Sequence, residues 1–257
     1  MLVAQLSDPH INPQRPHKAE ALRRAVKHLL ELPRHPGAVL VTGDCTDNGT
    51  REEYAEFRAL VQPLPVPVYI IPGNHDDRDA FRGAFPAEPL DDAGFVQRTI
   101  QTPAGLCLML DTHAPGRPEG ELCAKRLAWL AARLAESTGP VLLFLHHPPL
   151  PVGIPFMDSI ALRDPDALWR TLEPHRERVR HIFHGHLHRP IAGSWRGLPM
   201  SSLRGTAFAV TLDQQPGQAA VSRKEAPCYG LVRVQDGDVV VHTVELPDAN
   251  PPPPPAP

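Results

Sequence analysis

The sequence lacks a long apolar run. The longest of note, Val141 to Leu145, falls far short of the ~20 residues a membrane-spanning helix needs, so no membrane association is expected. Met1 to Leu6 has neither the basic start nor the cleavage site of a secretory signal, and a cytoplasmic location is expected. Cysteine pairs are also missing. Cys45, Cys107, Cys123 and Cys228 lie far apart with no Cys-x-x-Cys, which argues against a zinc ribbon or a thioredoxin-type motif and fits a reducing compartment. There is no excess of positive charge either: 26 Lys and Arg face 29 Asp and Glu, for a formal net charge of -3. A generic polyanion-binding surface is therefore not expected, nor a nucleic-acid polymer as partner.

Proline and histidine are what the chain has in plenty. Prolines number 32 of 257 residues, about 12% against a typical ~5%, so the loops are expected to be stiff and the tail Pro251 to Pro257 extended and outside the core. The length and a 42% hydrophobic content allow one large α/β body with a sizeable core. Histidines number 14, and several stand beside Asp, Asn or Gly just after an apolar run.

Those runs set the expected architecture. Leu2–Leu6, Ala38–Thr42, Val66–Ile71, Val141–Leu145 and Val179–Phe183 read as buried strands, and Phe95–Ile100 with Leu106–Leu110 as a hairpin through Thr102 to Gly105. Helical spacing of apolar residues recurs over His17–Leu32, over the segment opened by a Thr50/Glu53 capping box, over Leu122–Ala135 and after Asp164-Pro165. From Trp195 onward short β segments take over, at Ala207–Leu212, Tyr229–Val234 and Val239–Val244, with Asp236-Gly237 as a hairpin turn. The expected organisation is a core over residues 1–194, β segments over 195–247 packed on the same body, and a Pro-rich tail over 248–257.

Five polar clusters each follow a predicted strand: Asp8 and His10, Asp44, Asn74 and His75, His146 and His147, and His186 and His188. Ligands of open α/β sheets bind at the carboxyl ends of strands, so these clusters should converge on one rim. Asp8-x-His10 and His186-x-His188 are pairs two residues apart, which share a face in extended chain and suit the grasping of cations. Asp, Asn and His without thiolate favour Mn, Fe, Co or Zn over calcium. Two such ions need a shared carboxylate, and Asp44 is the candidate.

In this order, Asp8-x-His10, Gly43-Asp44, Gly73-Asn74-His75-Asp76, His146-His147-Pro148 and Gly185-His186-Leu187-His188 resemble the signature of calcineurin-like binuclear metallophosphoesterases. The narrower context resembles class III cyclic nucleotide phosphodiesterases and related glycerophosphodiesterases: Leu6 to His10, Asp47-Asn48-Gly49, Pro72 to Asp76, Gly120-Glu121 before a helix, and His-His-Pro-Pro. The resemblance implies a four-layer αββα sandwich with mixed sheets and a β-rich C-terminal extension. It implies that Asp8, His10 and His188 hold a first metal, that Asn74, His146 and His186 hold a second, and that Asp44 bridges them. His146 is preferred to His147 because the family ligand opens a His-x-Pro pattern, although His147-Pro148-Pro149 satisfies it too. His75 would be the catalytic acid beside the phosphate, with Asn74 and His75 binding substrate, and the reaction would be attack by a hydroxide bridging two divalent metal ions.

The expected substrate is a small phosphodiester such as a 3′,5′-cyclic nucleotide. The alternatives are a glycerophosphodiester, a promiscuous phosphomonoesterase activity, or a non-enzymatic scaffold that keeps the fold. Homo-oligomerisation through the C-terminal β segments is also implied. Outside the ligand set, Asp47 and Asn48 are read as turn formers, Asp76 as a cap or orienting group, His147 and His184 as structural histidines, His113 as a surface-loop residue and Cys45 as a buried filler.

Overall fold

The fold is described from a computed structural model, over residues 1–212, 222–223 and 225–246. The elements run β1 (Leu2–Leu6), α1 (Pro16–Glu31), β2 (Val39–Thr42), α2 (Arg51–Val61), β3 (Val68–Ile71), α3 (Arg78–Ala84), β4 (Arg98–Thr102) and β5 (Gly105–Met109). They continue with α4 (Ala124–Glu136), β6 (Val141–Leu145), α5 (Pro155–Ser159), α6 (Pro165–Leu172) and β7 (Val179–His184). The last are β8 (Ile191–Trp195), β9 (Leu198–Ser202), β10 (Ala209–Val210), β11 (Ser222–Arg223), β12 (Cys228–Gln235) and β13 (Asp238–Glu245).

Two mixed sheets form, in the orders β13-β12-β1-β2-β3 and β4-β5-β6-β7-β9-β8, beside a small β10-β11 pair. Alternation of side chains along the strands makes four layers of them. Leu6, Val39 and Val41 pack outward against Leu22, Val26 and Leu29 of α1 and Tyr54, Phe57 and Val61 of α2. Val141, Leu143 and Leu145 pack outward against Leu130 and Leu134 of α4 and Leu168 and Leu172 of α6. The residues between them in sequence face inward: Val3, Leu40, Leu142 and Phe144 meet Phe183, Val232 and Val234 between the sheets. Phe144 stacks on Phe183 with ring centroids 4.7 Å apart. Strands buried on both faces explain the unbroken apolar runs. The αββα sandwich is thus the fold that the family resemblance implied.

Local signals act as read. Thr50 and Glu53 cap α2 reciprocally, and Asp164 caps α6 by accepting from the Ala167 amide at 2.9 Å. Asp236 and Gly237 both take positive φ between β12 and β13, as a tight hairpin demands. Two readings change, and one helix is new. The stretch after Asp76 contains α3, capped by Asp77, which accepts from the Ala80 amide at 2.8 Å. The first hairpin strand begins only at Arg98, because the Val96 amide is taken by the Asp111 carboxylate at 3.0 Å. Of Ala207–Leu212 only two residues are strand.

β8 and β9, joined by Arg196-Gly197 with both residues at positive φ, form a second hairpin that the apolar pattern did not announce. The boundary after residue 194 falls inside β8. β12 lies antiparallel to β1, inside the first sheet. The Pro-rich tail lies outside the described residues.

Candidate metal centre

β1, β2, β3, β6 and β7 all end at one rim, and each delivers one cluster there. The turns that follow are pinned to one another by backbone bonds. Asp8 N donates to Gly43 O at 3.1 Å, His10 N to Asp44 O at 2.9 Å and Gly185 N to His146 O at 3.1 Å. Asp8, His10, Asp44, His186 and His188 all hold positive φ, between 46° and 69°. Among the described residues only Arg196 and Asp236, both in hairpin turns, share that feature outside glycine. Left-handed backbone costs about 1–3 kcal/mol per non-glycine residue and persists where surrounding structure imposes it. Close approach is part of that structure: a Cβ on Gly73 would meet Asp44 Oδ1 at 2.1 Å and His146 Cε1 at 2.7 Å.

The expected ligands come together. His10 Nε2 lies 3.1 Å from His188 Nε2 and 3.3 Å from Asp44 Oδ2. His188 Nε2 lies 3.4 Å from Asp8 Oδ1. On the other side, Asp44 Oδ2 is 3.4 Å from His146 Nε2, and Asn74 Oδ1 is 3.2 Å from His146 Nε2 and 2.9 Å from His186 Nδ1. All but the half-buried Asn74 are buried.

The far nitrogens of two rings are hydrogen-bonded, and that of a third faces a carboxylate. His146 Nδ1–H donates to Thr42 O at 2.7 Å, His188 Nδ1–H to Phe208 O at 3.4 Å, and His10 Nδ1 lies 3.2 Å from Asp47 Oδ1. Such acceptors on the outer nitrogen leave the Nε2 lone pairs to the interior. Two lone pairs, on His10 and His188, therefore face each other at 3.1 Å beside two carboxylates, and the buried His186 Nε2 has no hydrogen-bond partner. Converging acceptors of this kind repel until a cation sits among them, so the donor set fits divalent metal ions.

Titration follows from the same crowding. Burial pushes the His10 and His188 pKa values down to about 4, keeping both rings neutral as metal ligation requires. His146 is the exception. Burial lowers its affinity for a proton, but the adjoining Asp44 carboxylate outweighs this and raises the pKa to about 9. Asp44 is correspondingly held below the ordinary carboxylate range by His146 and His10 despite its burial. Burial raises the Asp8 pKa.

A calcineurin-like phosphoesterase family model matches residues 1–190, the span that contains all five clusters. The chain belongs to the calcineurin-like phosphoesterase family. It is 39% identical over 230 residues to a protein of Rhodopseudomonas palustris named as a probable cyclic nucleotide phosphodiesterase, covering 87% of this chain and 83% of that one. It is 33% identical over 241 residues to one of Arcobacter nitrofigilis named as a probable glycerophosphodiester phosphodiesterase, covering 90% and 88%. Among solved structures, the purple acid phosphatase of yellow lupin seeds matches with a TM-score of 0.67 at 12% identity, over 95% of this chain and 51% of that one. That likeness is one of fold.

Several residues around this phosphoesterase centre differ from their sequence reading. Asp47 is not merely a turn former. Its carboxylate takes the Lys18 ammonium at 2.7 Å, the Asn12 amide at 2.9 Å and the His10 ring, while its backbone carbonyl accepts from His75 Nδ1 at 2.9 Å. Asn48 instead serves α2, donating its backbone and side-chain N–H to Glu53 at 2.9 and 2.7 Å. His113 is 4% exposed, not a surface-loop residue, because Asp111 accepts from its amide and draws Arg78 and Arg126 over the loop.

For Asp76 and His147 the contacts are those of orienting and structural groups, and His147 also stands within donor range of His146 and His186. Asp76 is an orienting group: it accepts from Cys45 N, Thr46 N, Gly73 N and Tyr54 Oη, tying the Asp44 and Asn74 loops together. His147 has both nitrogens engaged. Nε2–H donates to Pro118 O at 3.1 Å, and Nδ1 accepts from Thr112 Oγ1 at 2.8 Å.

Over the donors opens a cavity of about 620 Å³. Its lining includes Arg15, His17 and Lys18 as well as Phe156, Ile160 and Phe208. The basic segment was not anticipated from the sequence, since no basic cluster marks it.

Proposed function

We propose that this chain is a binuclear metal-dependent phosphodiesterase that hydrolyses small diesters such as 3′,5′-cyclic nucleotides. The support is the position of Asp44, one of whose oxygens is within 3.4 Å of donors belonging to two different groups. In this reading Asp8, His10 and His188 hold one cation, Asn74, His146 and His186 hold the other, and Asp44 serves both. Bound there, two divalent ions would offset the diester's negative charge and lower the pKa of water toward ~7.

The protein's own groups orient and protonate. Asp47 O fixes the His75 tautomer with hydrogen on Nδ1, leaving Nε2 for the cavity that His75 lines. Burial lowers the His75 pKa, but Asp44 and the Asp47 carbonyl outweigh it, so the imidazole holds its proton above the ordinary 6.5. Its role is general acid: Nε2–H gives its proton to the departing alkoxide. Asn74, with Oδ1 turned to His146 and His186, offers its amide N–H to a phosphate oxygen.

Glycerophosphodiesters are the second reading, supported by the Arcobacter relative. A non-enzymatic scaffold is disfavoured because every expected ligand position holds a competent side chain in contact with the others. The reading includes a cytoplasmic location, in keeping with four free cysteines, and a homo-oligomer through β13, an edge strand of the first sheet. Among the described residues no helix is long and apolar enough to cross a membrane.

The test is hydrolysis of bis(p-nitrophenyl) phosphate with added Mn, after chelation, and after Mn is restored. Turnover should vanish and return. No turnover with Mn present would overturn the proposal.

A further inference from the structure

α5 carries an apolar ring that packs into no core cluster. Phe156 is 40% exposed, although its neighbours Ile154 and Met157 are 0% and 4% exposed and anchor the helix against Leu187, between His186 and His188. Asp158 holds the preceding turn by accepting from Val152 N at 2.7 Å and Gly153 N at 3.0 Å. The ring is thus presented from a fixed support. Among the described residues the exposed large apolar side chains are Leu30, Phe156, Leu212 and Val240, and of these only Phe156 lines the cavity above the metal centre.

Phe208, the other phenylalanine of that cavity, is already committed. His188 stacks on it with centroids 4.3 Å apart, and the Lys18 ammonium lies 5.4 Å from its ring centre.

Resting on the proposed phosphodiesterase reading, we infer that Phe156 is a specificity-determining residue, the face on which the planar base of a cyclic nucleotide stacks while its phosphate sits at the metal centre. A quaternary ammonium headgroup, the other ligand that aromatic faces attract, needs several free rings around it. Here only one phenylalanine ring is free. A planar base covers apolar surface at Phe156 and the adjacent Ile160 and Val210.

Base-on-aromatic stacking corresponds to roughly five- to hundredfold in affinity per base. Phe156→Ala should therefore raise KM for cyclic AMP and lower the ratio of kcat/KM for cyclic AMP over glycerophosphocholine by that factor, and Phe156→Tyr should restore most of the ratio. Adenosine, which has the base and no phosphate, provides a reading independent of turnover. Saturation-transfer NMR should show it bound to the wild-type protein and lost from Phe156→Ala. A ratio and an adenosine signal both unchanged in Phe156→Ala would overturn the inference. Failure of the wild-type protein to cleave any diester would instead overturn the phosphodiesterase reading, and adenosine binding would still report on Phe156.

Discussion

Substitution of Asp47 separates a structural role from a positioning one. Its carboxylate is 2.7 Å from Lys18 Nζ, and that lysine side chain is only 3% exposed, so Asp47→Ala strands a buried ammonium. Breaking a buried pair from one side costs about 3–5 kcal/mol, and the low end applies because Asp47 is itself 15% exposed and Arg15 stands 3.7 Å away as a competing charge. The same substitution frees His10 Nδ1. Loss of an outer partner of a metal-binding imidazole typically weakens metal affinity about 10- to 100-fold. Lys18→Met in the same chain removes the stranded charge but returns nothing to His10. Denaturant unfolding of the metal-free protein should therefore show Asp47→Ala destabilised by about 3 kcal/mol and the double variant recovering most of it. Mn titration should show the affinity loss in both variants. A double variant as unstable as the single one, or Mn binding unchanged in either, would refute the assignment of these contacts. His75 is a built-in control, since it donates to the Asp47 backbone carbonyl, which alanine keeps.

Asp44→Ala should abolish diester hydrolysis and bring metal content below two ions per chain by elemental analysis, because it removes the group shared by both donor sets. His75→Ala should retain both metals and slow turnover most for diesters with poor leaving groups; loss of metal, with activated esters cleaved normally, would contradict its role as acid. His181, tilted against Phe183 with ring centroids 4.3 Å apart and bonded to Ser201 Oγ at 2.8 Å, has its pKa lowered to about 4 by burial. A depressed folded-state value means the neutral ring's contribution is whole above pH 6.5 and is lost as pH falls through 6.5 toward 4. His181→Gln should accordingly flatten the acid limb of the stability profile by up to one proton in that window, about 1.4 kcal/mol per pH unit. An unchanged slope would place the acid sensitivity elsewhere.

What could be read from the sequence was whatever repeats locally. Strand runs buried on both faces, the Thr50/Glu53 box and the clusters behind β1, β2, β3, β6 and β7 are all encoded within a few residues, and so they were visible. Asp47 escaped because its partners Asn12 and Lys18 lie 35 and 29 residues away, and nothing local distinguishes a turn aspartate from one that steadies a distant imidazole. The burial of His113 has no local signal for a similar reason: the arginines that cover it come from α3 and α4. The β8-β9 hairpin hid behind a turn, Arg196-Gly197, that lacks the Asn or Asp usual at its first position. The apolar wall on α5 has no motif at all; it is recognised only by the exposure of Phe156 beside buried neighbours.

The strained turns explain why such a centre is built at strand ends. A residue with positive φ in the turn beyond a strand breaks the alternation that would send successive side chains to opposite faces. Asp8 and His10 reach the same point as His188 because both adopt that conformation, as do His186 and His188 on β7's side. Five such residues at about 1–3 kcal/mol each, together with acceptors facing one another at 3.1 Å, put several kcal/mol of unfavourable energy into the metal-free protein. One source offsets it in the protein itself, the backbone bonds from Asp8, His10 and Gly185 that lock the turns, and bound cations would add a second by turning the facing lone pairs from repulsion into coordination. The locked turns make the centre rigid before loading, so a metal ion meets donors already in place and gives up little of its binding energy to ordering them.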